Sequence, residues 1–400
     1  MRRIIVKTIE IISSKSIAHR ALICNYLSGG EYKVIYNEKS QDIDATEKCL
    51  KALTLNKKEL YCGESGSTFR FLLPLLAALG REGEFYTEGR LPSRPLSPLY
   101  EELLSHGCTL SPQGEVPFKI KGQLEGGEYN LKGNVSSQYV SGLLMALPLL
   151  KKSSTLNIKG PLESEGYVNL TIKVLENYGI EIKREKFGFY IEGNQRFIAP
   201  GDYFVEGDWS NAAFWLVAGA MLEEGIYCKG LNLNSLQGDR KIIEILKDFG
   251  VEIKLMTDGV VIKRKSLEAT TIDASQIPDL IPAVALLASR AKGTTVIKNA
   301  ARLRLKESDR LKSISNVLGI LGVEVEELKD GLEIAGSKKP LKGGEVNSHG
   351  DHRIAMMAAI ASIESAEKVK ILNSKAVEKS YPSFFEKLKE LDLDKNVERG

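Results

Sequence analysis

The sequence predicts an α/β protein built from six similar units, and three observations predict it. A small polar cluster running into an apolar, helix-like stretch recurs six times along the chain. Each copy is followed by a second helical pattern, and several of these end in Gly before an alternating, strand-like run. Six copies in 400 residues put about 67 in each unit, above the ~20–50-residue period of solenoids and propellers. Helices alternating with strands pack on sheets, which defines the α/β class.

The helix starts come in order. Ser13-Ser14-Lys15-Ser16 leads into 17–27, Ser65-Gly66-Ser67-Thr68 into 69–79, and Ser136-Ser137-Gln138 into 139–150. Asp208-Trp209-Ser210-Asn211 leads into 212–222, Asp273-Ala274-Ser275 into 277–288, and His349-Gly350-Asp351-His352 into 353–363. Ser, Thr, Asp and Asn suit these positions because their oxygens accept the orphan N–H groups of a helix start. The second helices, over 43–53, 99–106, 168–178, 242–249, 311–321 and 384–391, carry apolar residues at three- and four-residue spacing. Gly179, Gly250 and Gly322 then stop their helices, since Gly accepts the left-handed C′ conformation. Alternation such as Ile180-Glu181-Ile182 reads as a half-exposed strand. Each unit is therefore strand–helix–strand–helix–strand–strand, and six divide three and three. The turn chemistry of Ala199-Pro200-Gly201-Asp202 makes 196–208 the candidate boundary.

Helix N-termini attract anions through free N–H groups and the dipole. Several of these starts also carry cations: Lys15, Arg20, Arg70 and Arg353. Helices whose starts converged would bind a heavily anionic small molecule; the alternative is six capped helices scattered over a surface. The co-located Lys and Arg favour convergence.

Bulk composition narrows the class. Hydrophobic content of 43% and charged content of 27% fit a globular protein of two or three domains. A net charge of +3 is too small for a nucleic-acid binder, in which basic residues dominate a face. Cys24, Cys49, Cys62, Cys108 and Cys228 are odd in number and form no C-x-x-C, which fits reduced thiols in the cytoplasm. His19, His106, His349 and His352 form no metal motif, although His349 and His352 are spaced to share one helical face; no metal is expected. Met1–Lys7 is too charged for a signal peptide, and 212–222 is too short to span a bilayer.

The sharpest local constellation is 302–311, where Arg302, Arg304, Lys306 and Arg310 alternate with Glu307 and Asp309. Ser308 or Asp309 would cap a helix beginning near Arg310, so Lys306, Glu307 and Arg310 surround a helix N-terminus. That arrangement suits an oxyanion and an acid/base carboxylate; a solvated charge run is the plainer reading. Lys15 and Arg20 stand about one turn apart on one helix. Arg90-Leu91-Pro92-Ser93-Arg94-Pro95 is a stiff loop with two guanidinium groups, the usual ligands of carboxylate and phosphate. Asp351-His352-Arg353 and Lys379-Ser380-Tyr381-Pro382 complete the set.

Taken in order, these motifs resemble the enolpyruvyl transferases, in particular the branch acting on shikimate 3-phosphate. The resemblance rests on Lys15-Ser16-x-x-x-Arg20, Gly66-Ser67-Thr68-x-Arg70, Arg90-x-x-x-Arg94-Pro95, Ser136-Ser137-Gln138 and Ser164-x-x-Tyr167. It continues through Ile277-Pro278-Asp279, Lys306-Glu307-Ser308-Asp309-Arg310, Asp351-His352-Arg353 and Lys379, spanning nearly the whole chain. Departures from the family pattern are Ser13-Ser14 before Lys15, and Glu64, Ser67, Phe71 and Arg302.

The resemblance implies two domains of three βαβαββ units each, closing on substrate around an interdomain cleft. Residues 14–205 would form the shikimate 3-phosphate side, and residues 1–13 with 206–400 the other domain. The implied reaction joins the enolpyruvyl group of phosphoenolpyruvate to the 5-hydroxyl of shikimate 3-phosphate and releases phosphate, without a cofactor. Asp279 and Glu307 are the implied acid/base carboxylates, assisted by Lys15 and Lys379. Shikimate 3-phosphate would meet Lys15, Ser16, Arg20, Ser136, Ser137, Gln138, Ser164, Asp279 and Lys306. Phosphoenolpyruvate would meet Lys15, Gly66, Arg90, Gln138, Arg310, Arg353 and Lys379. Tyr167, Arg302 and His352 complete the binding set. The expected partners are these small molecules, with no nucleic acid and no membrane, and the expected state is a cytoplasmic monomer.

Two rivals stand beside this reading. One is the sister transferase acting on UDP-N-acetylglucosamine, which commonly uses a Cys in a mobile loop. Cys108 lies in a comparable region, but His106-Gly107-Cys108-Thr109-Leu110 reads as a helix end entering a strand, so Cys108 is a packing residue. The other is a polyanion-binding protein, against which the low net charge and the lack of interleaved aromatics speak.

Overall fold

The computed structural model describes residues 6–400, and the chain in it divides into two compact units. Ser14–Val205 forms an inserted unit; the residues up to Ser13 join Glu206–Gly400 as an outer unit. Met1–Ile5, part of the segment read above for a leader, lie outside the described residues. Among the described residues, no helix is long and apolar enough to cross a membrane.

The inserted unit carries α1 (Lys15–Leu27), α2 (Gln41–Thr54), α3 (Gly66–Ala78), α4 (Leu99–Ser105), α5 (Ser137–Ala146) and α6 (Glu165–Asn177). Two four-stranded sheets repeat one pattern. In each, two parallel strands are followed by two antiparallel ones. The first sheet orders Glu59–Gly63, Gly83–Thr87, Phe118–Gly122 and Cys108–Leu110. The second orders Glu128–Lys132, Ser154–Lys159, Gly188–Ile191 and Ile182–Glu185. The parallel step needs a crossover, and α3 and α5 supply it. Strand Gly83–Thr87 buries alternate residues, so one sheet face packs inward. From Thr68 to Ala78 every residue of α3 is buried, as a helix apolar on all sides must be. It packs so tightly on α5 that a Cβ at Gly142 would lie 2.5 Å from the Arg70 carbonyl oxygen. Only Gly permits that approach.

The outer unit carries α7 (Trp209–Met221), α8 (Ile242–Asp248), α9 (Ile281–Ala288), α10 (Arg310–Ile320), α11 (His352–Ala361) and α12 (Phe384–Glu390). The same pattern builds a sheet from Thr271–Asp273, Gly293–Lys298, Gly331–Gly336 and Glu324–Leu328. Another sheet takes its first strand, Lys7–Glu10, from before the inserted unit and pairs it in parallel with Ile226–Lys229, matching Lys7 with Ile226. Helices α7, α9 and α11 are buried through their whole length at the centre of one apolar core.

Three sequence expectations change. The six units are not equal: two of the sheets have only two strands (Tyr203–Phe204 with Val34–Ile35) and three strands (Gly344–Asn347, Val369–Leu372, Val397–Arg399). The fifth phrase does not open its helix at 277, because α9 begins at Ile281 with Pro282 in its first turn. Proline lacks an N–H and costs least where a helix start leaves that group without an intrahelical partner, although α3 accommodates Pro74 in its interior. His349 and His352 do not share a helical face: His349 lies outside α11 with φ of 52°, and His352 is the first residue of α11.

Candidate active site

In the inserted unit, Ser65 and Ser136 do the capping that the sequence suggested, Ser40 caps a helix for which the sequence analysis placed no cap, and Ser14 precedes α1 without making a side-chain cap bond to it. Ser40 accepts from Ile43 N, Ser65 from Thr68 N and Ser136 from Gln138 N, fixing the starts of α2, α3 and α5. Lys15 opens α1, and its Nζ donates to Asp42 Oδ2 at 2.7 Å. At the start of α3 two guanidinium groups converge on Gly66. A Cβ there would lie 2.6 Å from Arg70 Nη1 and 3.1 Å from Arg94 Nη1. Arg70 Nη1 donates to Gln138 Oε1 at 2.9 Å, and Gln138 Nε2 donates to Ser67 Oγ at 3.0 Å. Two cations at a helix start make a ready anion-binding surface. Arg90 stands exposed on the turn that follows strand Gly83–Thr87.

Arg20 is buried and directed inward. Its Nε donates to Thr171 Oγ1 at 2.7 Å and its Nη1 to the Ser16 carbonyl at 2.6 Å. Its Nη2 donates to Ser141 Oγ at 3.3 Å and to the Tyr167 carbonyl at 3.2 Å. Four of the five guanidinium hydrogens are thus engaged, and burial pushes Arg20 down to about 10. Ser164, the N-cap of α6, is buried in the left-handed region at φ 55°, a conformation non-Gly residues seldom adopt. Ser137 is the first residue of α5 and is buried.

The outer unit gathers charge around one guanidinium. Asp309 caps α10 by accepting from Lys312 N, which sets Arg310 in its first turn. Arg310 is 1% exposed. Its Nη1 donates to Asp279 Oδ1 at 2.6 Å, its Nη2 to Glu307 Oε2 at 2.7 Å and its Nε to Asp351 Oδ2 at 2.8 Å. Asp351, fully buried, also caps α11 through Arg353 N and accepts from Ser308 Oγ at 3.1 Å. Lys306 Nζ lies 3.6 Å from Asp279 Oδ1, and Arg353 Nη2 lies 3.4 Å from Asp279 Oδ2. Lys379 Nζ donates to the Gly350 carbonyl at 2.6 Å, just before the buried His352. Arg302 lies on the 3₁₀ turn Ala301–Leu305.

This crowding sets the protonation states. Burial pushes the Asp279 carboxyl up, but Arg353, Lys306 and Arg310 outweigh it and hold it well below the usual carboxylate range. Burial, with repulsion from Arg310 and Arg302, pushes Lys306 down to about 8 against the pull of Asp279. Burial and the Asp279 charge push Asp239 up to about 6, against Arg353 and a hydrogen bond from Ser210. The cluster therefore holds a firmly ionised carboxylate beside an ammonium poised to lose its proton near neutrality. The ammonium suits acid/base chemistry on an anionic substrate, and the carboxylate beside it, held ionised by three cations, enters proton transfer as an acceptor.

The structure brings together Asp279, Lys306, Glu307, Arg310 and Arg353 by direct contact. It links Ser16 and Tyr167 to Arg20, and Gln138 to Arg70. Sequence reasoning missed Asp42, Thr171, Ser141 and Asp239, and gave Asp351 no role of its own. Asp42 carried a signal as an acid in the first turn of α2; the others carried none. Cys108 sits buried in its strand opposite Gly122, and burial pushes its thiol up to about 11. A thiol so placed is not a nucleophile at neutral pH. Cys108→Ser is expected to keep kcat within about threefold of the parent; a fall of 10²-fold, about 2.7 kcal/mol of barrier, would overturn its reading as packing.

Residues 54–388 match the family described as EPSP synthase (3-phosphoshikimate 1-carboxyvinyltransferase). A 3-phosphoshikimate 1-carboxyvinyltransferase of Clostridium kluyveri is 44% identical over 96% of this chain and 94% of its own length. One from Clostridium acetobutylicum is 44% identical over 96% of this chain and 95% of its own. The solved EPSP synthase of Acinetobacter baumannii superposes with a TM-score of 0.78 at 25% identity, covering 96% of this chain and 95% of that one. The enolpyruvyl transferase NikO of Streptomyces tendae shares the fold, with a TM-score of 0.74 at 16% identity, covering 96% of this chain and 94% of that one. With relatives matched along nearly their entire length, the chain belongs to the EPSP synthase family.

Proposed function

We propose that this chain transfers the enolpyruvyl group of phosphoenolpyruvate to the 5-hydroxyl of shikimate 3-phosphate, releasing phosphate. The observation that carries the reading is the cluster on Arg310, where Asp279 and Glu307 are held by one buried guanidinium with Lys306 beside them. The reaction needs proton carriers and dense positive charge together. The C3 carbon of phosphoenolpyruvate gains a proton as the hydroxyl oxygen, losing its own, bonds to C2. The tetrahedral intermediate then loses a C3 proton and expels phosphate as the double bond re-forms.

In this reading Asp279 and Glu307 carry the protons, with Lys15 and Lys379 assisting. Residues 14–205 form the shikimate 3-phosphate side, using Lys15, Ser16, Arg20, Ser136, Ser137, Gln138, Ser164 and Tyr167. The remaining hydrogen on Arg20 Nη1 is its one donor for an anion. Asp279, Arg302 and Lys306 serve the same substrate. Phosphoenolpyruvate is met by Lys15, Gly66, Arg90, Gln138, Arg310, Arg353 and Lys379, and His352 completes the binding set. Arg310 already serves three carboxylates, so the incoming anion competes with them for its N–H groups. The five cysteines are buried free thiols, which suits the reducing cytoplasm, and the working state is a monomer.

Phosphate release from phosphoenolpyruvate, measured with shikimate 3-phosphate and separately with UDP-N-acetylglucosamine, tests the reading. Release is expected with the first; release with the UDP-sugar alone would overturn it.

Lys306 adds a pH dependence. Its ammonium attracts the substrate anion only while protonated, so affinity for shikimate 3-phosphate is expected to weaken as pH rises through about 8. Stability should move the other way. The folded state gives up the Lys306 proton at about 8, and the unfolded chain at about 10.4. Between those values the unfolded state holds more protons, so stability rises with pH. Calorimetric titration from pH 7 to 9.5 on the parent and on Lys306→Met checks this, since the variant should lose that limb of the affinity profile.

A further inference from the structure

The starts of α1, α2 and α3 are tied together by a buried chain of hydroxyls that ends on a histidine. His19 Nδ1, on α1, lies 2.7 Å from Thr46 Oγ1 on α2. Thr46 Oγ1 lies 2.6 Å from Thr68 Oγ1 on α3, which lies 2.7 Å from Oγ of its own N-cap, Ser65. Thr68 Oγ1 also reaches the carbonyl oxygen of Asp42 at 3.4 Å. His19, Thr46 and Thr68 have no exposed surface.

The chain has a direction. Burial, together with the Lys15 and Arg20 charges, holds His19 well below its usual range, so the ring is neutral and carries one N–H. Nε2 is buried without a partner. A proton there would be an orphaned donor, which folded proteins avoid more strictly than an unmet lone pair. The proton therefore belongs on Nδ1 and is donated to Thr46. Thr46 donates to Thr68, which accepts a second bond from Ser65 and donates its own hydrogen to the Asp42 carbonyl. Every hydroxyl is used once as donor, and the chain ends on the residue whose carboxylate holds Lys15 Nζ at 2.7 Å.

We infer that His19, Thr46 and Thr68 are positioning residues for Lys15, acting through Asp42. The inference rests on the reading above that Lys15 reaches the reacting atoms. A chain with no spare donor tolerates little displacement, because any shift of α2 against α1 or α3 breaks a buried hydrogen bond. Loss of the Thr46 hydroxyl frees the start of α2 to move and lets Asp42 drift from Lys15. Lys15 keeps its charge, so binding survives while alignment suffers; a misplacement of about 1 Å costs up to ~10²-fold in rate.

The test compares Thr46→Val, which keeps shape and loses the hydroxyl, with Thr46→Ser, which keeps it. Competitive acetylation read by mass spectrometry should show Lys15 several-fold more reactive in Thr46→Val and unchanged in Thr46→Ser, with Lys58 as an unaffected reference. In the assay, Thr46→Val should lower kcat about tenfold and move the KM for shikimate 3-phosphate less than about threefold. It should add nothing further in an Asp42→Asn background, because both changes break the same link. Unchanged Lys15 reactivity in folded Thr46→Val, or a full additional loss in the Asp42→Asn background, overturns the inference. Should Thr46→Val not fold, His19→Asn, which retains a donor where Nδ1 stands, against His19→Leu carries the same comparison. A parent protein without phosphate release would instead overturn the functional reading, and the acetylation comparison would still decide the positioning.

Discussion

Glu307→Gln and Asp279→Asn are each expected to lower turnover by about 10²–10⁴-fold, the usual worth of one acid/base group. An amide keeps the shape of the carboxylate and can still accept from Arg310, so the fold and the binding of shikimate 3-phosphate should persist. The decisive comparison is kcat for phosphate release against calorimetric affinity on the same preparations. Near-normal kcat in both variants would remove the two carboxylates as proton carriers. Asp279→Asn should also flatten the acid limb of stability. The Asp279 pKa is held below that of the unfolded chain. Its stabilisation is thus present above about pH 4 and fades as pH falls toward the folded value.

Arg310→Met is expected to cost about 3–5 kcal/mol of stability, the effect of breaking a buried ion pair from one side. Asp351 has no exposed surface and receives the Arg310 Nε bond at 2.8 Å. The variant would strand this carboxylate in the core, with Ser308 Oγ and Arg353 N as its remaining donors among the described residues. Denaturant unfolding measures the loss. Adding Asp351→Asn should return part of it, because the second change removes the stranded charge rather than another favourable contact. A loss below about 1 kcal/mol, or no recovery in the double variant, would show that Asp351 is served adequately without Arg310.

The local grammar of the chain was readable at most helix starts, where one helical turn decides the outcome. Ser65, Ser136, Asp208, Asp309 and Asp351 cap the helices they precede, because an N-cap oxygen needs only the two or three residues beyond it. The fifth helix was misplaced although its signal was present. Pro278 and Pro282 flank Asp279, and only Pro282 finds a place in the first turn of α9. Reading the polar cluster at Asp273 as a cap ignored that constraint.

By itself the sequence determined the α/β class, the repeated unit, most helix positions and the motifs that signal the family. That Glu307 and Arg310 lie together at a helix start was also legible, since both stand within three residues of the Asp309 cap. Tertiary structure alone decided the rest. The strand Lys7–Glu10 completes a sheet with Ile226–Lys229 across the whole inserted unit, a pairing that no local periodicity encodes. Arg310 meets Asp279 and Asp351, 31 and 41 residues away, and Lys15 meets Asp42, 27 residues away. With 55 Lys and Arg and 52 Asp and Glu in the chain, charge alone leaves almost every such pairing open. The choice is made by which helix starts pack together, because an ion pair forms only where side-chain reach and burial bring the two groups within a few ångström.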